Sequence, residues 1–328
     1  MNNQTKALLD TAIACDMTCP WVAVGNQSLR DALPERYRNS GWTYVSLTVA
    51  SDGDDIASTM GTIAATRRMI DTLSETCVLV KSVGDIRRAK QEGKLALGMH
   101  FQGTLPVARD LNLVGLYYEL GIRHMLMVYN YKNYVADGCY EDGDGGLSGF
   151  GRELVAEMNR VGMIVDVAHT GYKSSMDTIA ASTAPVIVSH GNLKAFNDHP
   201  RCYTDEQIRA IAASGGVFGL TGLGAFLGND DASTPALVRQ VDHVAQLVGP
   251  QHVGFGLDYV YDWPALVALM AEGDDSLSKD DPTGDEPQVE PERLPAIVDA
   301  LLGMNYSEAD ITAILGGNWL RVCEQVWR

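Results

Sequence analysis

Short, β-branched apolar runs alternate along this chain with longer stretches in which apolar positions recur every three to four residues. The first pattern is that of buried strands and the second that of helices with one covered face. Eight runs read as strands: Ala12–Cys15, Tyr44–Val49, Leu95–Phe101, His124–Tyr129, Met163–His169, Val186–His190, Gly216–Thr221 and Val253–Asp258. Helical patterns fill the intervals at Thr62–Cys77, Pro106–Leu120, Phe150–Val161, Lys173–Ala181, Asp205–Ala213 and Pro235–Val248. Three more, Pro291–Leu302, Ser307–Ile314 and Asn318–Trp327, close the chain. Thr204 ahead of Asp205 and Glu206 supplies a cap and acids at one helix start, and Gly121 and Gly162 follow two helix ends. Apolar strands alternating with helices predict a parallel sheet covered by helices. Eight such units predict an α/β fold, a single (β/α)8 TIM barrel over residues 1–328. An open doubly wound sheet is the alternative, but no GxGxxG follows an early strand to support it.

Two segments break the rhythm. ADGCYEDGDGGLSG, residues 136–149, is too rich in Gly and Asp for a regular element and reads as a solvated loop over the barrel mouth. Its DGDGG lacks the spacing to a terminal Glu that a calcium loop requires. The stretch 272–287 is acidic and turn-rich, an excursion after the last strand.

Composition narrows the partners. The net charge of −17 argues against nucleic acid and anionic membranes. No run approaches the roughly 20 apolar residues of a membrane helix, and the N-terminus lacks a basic segment followed by an apolar core. A cytoplasmic protein acting on a small molecule is expected, and a homodimer is compatible with this. The six cysteines contain no CxxC pair and read as free thiols.

The chemistry gathers where the strands end. MIVDVAH runs into His169, and APVIVSH runs into His190 on the next strand. One histidine closing an apolar run is ordinarily core or cap; two on adjacent strands share a rim. Asp16, Gln102, Tyr129 and Asp258 stand at other strand ends, and in a barrel all of these converge on one mouth. Two imidazoles among carboxylates suit Zn²⁺ or a similar ion, which lowers the pKa of bound water and polarises a carbonyl. His100 shares strand parity with Gln102 and can face inward; His124, His199, His243 and His252 read as structural or surface residues.

In this order GLSGFGRELVAEMNRVGMIVDVAH, APVIVSHGN, VGFGLDY and GGNWLRV resemble the membrane (renal) dipeptidase family, peptidase family M19. The resemblance implies a (β/α)8 barrel of the metal-dependent hydrolase type with a two-zinc site that cleaves dipeptides. It implies that His169 and His190 are ligands of one zinc. Arg201 would hold the substrate carboxylate and Asp258 would assist proton transfer. Three positions depart from the family pattern. Asp16-Met17-Thr18 stands in place of His-x-Asp, Gln102 in place of a bridging glutamate, and Tyr129 in place of a substrate-polarising histidine. One divalent ion is therefore expected, held by His169 and His190 with Asp16 and Gln102 as the remaining candidate ligands. Tyr129 and Arg201 would line the substrate. Two other readings stay open: a metal-free lyase or isomerase, and a non-catalytic binding protein on a retired dipeptidase scaffold.

Overall fold

A computed structural model describes residues 2–20, 27–271 and 286–328. Its centre is a closed barrel of eight parallel strands. They are β1 (Cys15–Pro20), β2 (Tyr44–Ser51), β3 (Leu95–Gln102), β4 (Ile122–Leu126), β5 (Ile164–Asp166), β6 (Val186–Leu193), β7 (Phe218–Leu220) and β8 (Val253–Phe255). Each strand pairs with the next in the chain, and Asp16↔Phe255 closes β1 on β8. Two short strands, Cys77–Leu79 and Cys202–Tyr203, lie beside β3 and β6. The (β/α)8 expectation is borne out.

Several boundaries differ from the sequence expectation, for physical reasons. The first strand is not Ala12–Cys15 but Cys15–Pro20, preceded by a helix over Asn3–Thr11. Its polar residues Asp16 and Thr18 are fully buried and hydrogen-bonded, which an apolar-run criterion cannot see. The helix expected over Thr62–Cys77 covers Ile56–Thr72, because Asp55 caps it by accepting from the Ser58 N–H. The stretch Pro106–Leu120 splits into a 3-10 turn, Leu105–Val107, and a helix, Asn112–Leu120. Helices over Gln27–Asn39 and Val83–Glu92 complete the outer layer.

The strands are apolar on both faces, as a covered sheet requires. Outward residues such as Val45, Leu97, Val165, Val188, Phe218 and Val253 join the helices in one core. Inside the barrel, Met17, Tyr44, Ala96, Ile164 and Ile187 form a second core around Trp319 of the last helix, Asn318–Val326. The GGNW motif lets that helix approach. A Cβ on Gly316 would lie 2.4 Å from the Ile13 carbonyl oxygen.

Towards the mouth the interior turns polar. His100 bonds Ser46 through Nδ1 (2.9 Å) and Thr48 through Nε2 (3.0 Å), and Gln102 donates to the same Thr48 hydroxyl (3.0 Å). His100 and Gln102 therefore share the inward face. The loop at 136–149 packs on the rim, with the Cys139 N–H donating to the His169 carbonyl (2.9 Å). Rather than being merely solvated, it is pinned: Asp144 accepts from the Ser174 N–H at the start of helix Tyr172–Ala181 (3.0 Å). Residues 272–285 of the second excursion lie outside the described residues. Past it, the Gln288 amide brackets Val260, accepting from its N–H (2.9 Å) and donating to its carbonyl (2.8 Å).

Candidate active site

His169 lies three residues past the end of β5, and His190 lies inside β6. Their Nε2 atoms are 2.9 Å apart and both rings are buried. On the far side of His169, Nδ1 lies 2.6 Å from Asn130 Oδ1, an oxygen that can only accept. His169 therefore carries its proton on Nδ1 and offers a bare Nε2. His190 Nδ1 instead meets two hydroxyls, Ser189 (2.8 Å) and Thr18 (3.1 Å). A hydroxyl donates or accepts, so His190 can hold its proton on either nitrogen. Burial keeps both imidazoles well below their usual pKa, and the nearby Arg201 charge pushes the same way. They are neutral, as ligands or bases must be.

The backbone here is unusual. Asn130, His169 and Asp258 all have left-handed φ, at 56°, 62° and 58°. Non-glycine residues avoid this region, and such strain collects at functional sites. The strands therefore end earlier than the apolar runs do. β4, β5 and β8 stop at Leu126, Asp166 and Phe255, short of Tyr129, His169 and Asp258.

Arg201 reaches in from the stretch before strand Cys202–Tyr203. Its Nη2 is 3.1 Å from His169 Nε2, and among the described residues its buried Nη1 has no hydrogen-bond partner. Its own N–H donates to His199 Nδ1 (3.2 Å), so His199 serves the site through the arginine backbone. Burial works against the guanidinium charge, and Cys139, Tyr203, Tyr140 and Asp258 outweigh that. Tyr129 stacks on His169, with ring centroids 4.3 Å apart and planes at 28°.

The remaining expected residues stand further back. Asp16 is hydrogen-bonded at both oxygens: Oδ1 accepts from the N–H groups of Leu257 (2.8 Å) and Thr18 (3.2 Å), and Oδ2 from the Tyr37 hydroxyl (2.8 Å). Burial raises its pKa to about 7 against those three bonds. Gln102 is tied to Thr48 on the neighbouring strand. Asp258 follows Leu257, its N–H bonded to the Thr18 carbonyl (3.1 Å). The sequence pattern assigns no role to Asn130, Ser189 or Asp166. The only available signal was their place beside the strand-end residues.

These donors bear directly on a metal. Two bare or switchable imidazole nitrogens, each ring held from behind, fit two ligands of one divalent ion. Among the described residues no group of three or more His, Cys, Asp or Glu converges as a metal cluster. With Asp16 engaged and Gln102 neutral, the donor set fits one ion and does not fit a pair.

The family model of the membrane dipeptidases, peptidase family M19, matches residues 23–268. A dipeptidase of Clonostachys rogersoniana, VerJ, is 30% identical over 279 residues, covering 83% of this chain. This chain spans 66% of that protein's length. An amidohydrolase structure from Pseudomonas aeruginosa superposes with a TM-score of 0.90 at 31% identity, covering 98% of this chain and 99% of that one. A metallopeptidase from Rhodobacter sphaeroides, liganded with a phosphinate mimic of the dipeptide L-Ala-D-Ala, shares the fold (TM-score 0.80, 20% identity, 97% of this chain and 100% of that one). The strand-end histidines, the barrel that carries them and the extent of the family match agree, and the chain belongs to the membrane dipeptidase family.

Proposed function

We propose that this protein is a metal-dependent hydrolase that cleaves a dipeptide or a related small amide bearing a carboxylate, with one divalent ion at His169 and His190. The observation that carries this reading is the convergence of His169 Nε2, His190 Nε2 and Arg201 on one buried point. When bound, the ion would polarise the amide carbonyl and lower the pKa of attacking water.

The chain's own groups supply the rest. Arg201 Nη1, buried without an acceptor among the described residues, is a ready donor for a substrate carboxylate. Asp258, held at the rim by the Thr18 carbonyl and its left-handed backbone, takes the proton of the attacking water. Tyr129, flat against His169, walls the substrate side and blocks tumbling of that ring. The hydroxyls of Ser189 and Thr18 let His190 free its Nε2 for ligation by moving its proton to Nδ1.

Arg201 also donates to the nitrogen that an ion needs, so ion and guanidinium compete for His169. That same contact favours a second reading, an acid–base enzyme working without metal. Zinc loading followed by dialysis and elemental analysis, beside a turnover screen on dipeptides and N-acyl amino acids, separates them. Ion-dependent hydrolysis supports the first reading. Turnover that survives complete chelation supports the second.

A further inference from the structure

Asp166, the last residue of β5, is fully buried and touches neither imidazole in the contacts described above. Its Oδ1 accepts from the N–H of Ala168 (2.9 Å) and, across the sheet, from the N–H of Ser189 (3.1 Å). Those two residues immediately precede His169 and His190. One carboxylate oxygen thus ties together the two backbone segments that carry the pair.

The bond to Ala168 closes an Asx-type turn, in which a side chain replaces the ladder partner two residues on. It stops β5 at Asp166 and lets the chain reach the left-handed turn at His169. The bond to Ser189 fixes how far that turn stands from β6. The other oxygen, Oδ2, has no hydrogen-bond partner among the described residues. It faces His124 Nε2 at 3.8 Å, and neither nitrogen of that buried ring has a partner there. A desolvated carboxylate with one idle oxygen is costly to keep. Stability alone does not account for it, whereas the work done by Oδ1 does.

The arrangement is used twice. Asp16 Oδ1 accepts from Thr18, also two residues on, and from Leu257, the residue before Asp258. Each aspartate therefore accepts from the N–H two residues on in its own segment and from the N–H just ahead of a candidate site residue on a neighbouring segment.

We propose that Asp166 is a positioning residue that sets the spacing of His169 and His190 through Oδ1. The inference rests on the proposed function only in taking that histidine pair as the working part of the site. Asp166→Asn keeps an acceptor oxygen and turns an amide N–H towards His124 Nε2; Asp166→Ala removes both. In crystals of the ion-free proteins, Asp166→Asn should keep the wild-type Nε2–Nε2 separation. Asp166→Ala should widen it by more than about 0.5 Å, the tolerance of a working constellation. With a carboxylate-bearing amide, Asp166→Ala should lower kcat by about 10- to 100-fold, the usual cost of losing a group that orients a ligand. KM should change less than about threefold, since Arg201 is untouched, and Asp166→Asn should restore kcat. An alanine variant with unchanged spacing, or an asparagine variant as displaced as alanine, would overturn the inference. If wild type hydrolyses no such amide, the proposed function fails while the spacing comparison still decides the role of Asp166.

Discussion

The Nε2 atoms of His169 and His190 lie 2.9 Å apart, although the residues come from different strands and only one of them lies within its strand. Such proximity between two buried neutral rings needs either a shared proton or a shared ion. The partners behind the rings permit both, because Asn130 fixes the His169 tautomer and the two hydroxyls leave that of His190 open. Arg201 completes the set, with its Nη2 3.1 Å from His169 Nε2.

Arg201→Lys should weaken substrate binding more than it slows chemistry. A lysine keeps the charge but loses the planar fork that grips a carboxylate. One lost charge-assisted bond is worth about 1.5–3 kcal/mol, so KM should rise about tenfold or more. Steady-state kinetics on a dipeptide decide this; an unchanged KM with a collapsed kcat would show that Arg201 works in the chemical step.

The glycines of the GFGLDY motif make a second test. A Cβ on Gly256 would lie 2.0 Å from the Ser189 carbonyl oxygen and 3.3 Å from His190 Cβ. Backbone cannot yield cheaply at that distance. Gly256→Ala should destabilise by about 1–3 kcal/mol and reduce kcat by displacing His190. Gly303→Ala is the control: nothing lies within 4 Å of its Cβ, and it ends a helix. Thermal melts and kinetics should separate the two, and a neutral Gly256→Ala would contradict the packing.

Much of this was readable from residue pattern alone. The barrel and the order of its strands, though not the extent of the first, follow from apolar runs alternating with helical patterns, and parallel strands bring His169 and His190 to one rim. What escaped is polar and local. Asp16 reads as a ligand from its place in the motif, yet its oxygens are taken by Leu257, Thr18 and Tyr37, two of them distant in sequence. Asn130 and Asp166 carry no pattern of their own. Their roles depend on a left-handed turn and a cross-strand N–H, which hydrophobic periodicity does not encode. His124, which the sequence marks as a structural or surface residue, is fully buried and stacks on His100 at 4.3 Å, inside the barrel and below the site.

That stacked pair predicts a pH effect. Burial lowers the His124 pKa from 6.5 to about 3. The unfolded chain therefore takes up a proton near pH 6.5 that the folded chain refuses. Stability is present above pH 6.5 and is lost as pH falls towards 3, by about 1.4 kcal/mol per pH unit. His124→Phe keeps a ring against His100 and removes this term. Between pH 7 and 5 the variant should lose about 2 kcal/mol less stability than wild type in urea denaturation. Asp16, raised by burial to about 7, acts in the opposite direction and equally in both proteins; Asp166, raised to about 6, faces His124 Nε2 at 3.8 Å, so the comparison is repeated in an Asp166→Asn background. Parallel pH profiles would show that His124 titrates normally.

Metal stoichiometry is the sharpest consequence of the site. Two dications in one small cavity repel strongly unless carboxylates stand between them. Gln102, where the resemblance implies a bridging glutamate, is neutral and bonded to Thr48, and both Asp16 oxygens already accept hydrogen bonds. Thr18, where the family places an aspartate, serves His190 through its hydroxyl. What is left is a pair of imidazole nitrogens, one of them already receiving an Arg201 N–H. Zinc-loaded protein should therefore hold at most one ion per chain after dialysis, and that ion should leave readily to a chelator. Arg201→Met removes the competing donor and should tighten ion binding while abolishing tight carboxylate binding, a split that inactivation by misfolding would not produce. Elemental analysis and competition with a zinc indicator dye measure both. Two tightly held ions in the unmodified protein would show that Gln102 or Asp16 ligates after all.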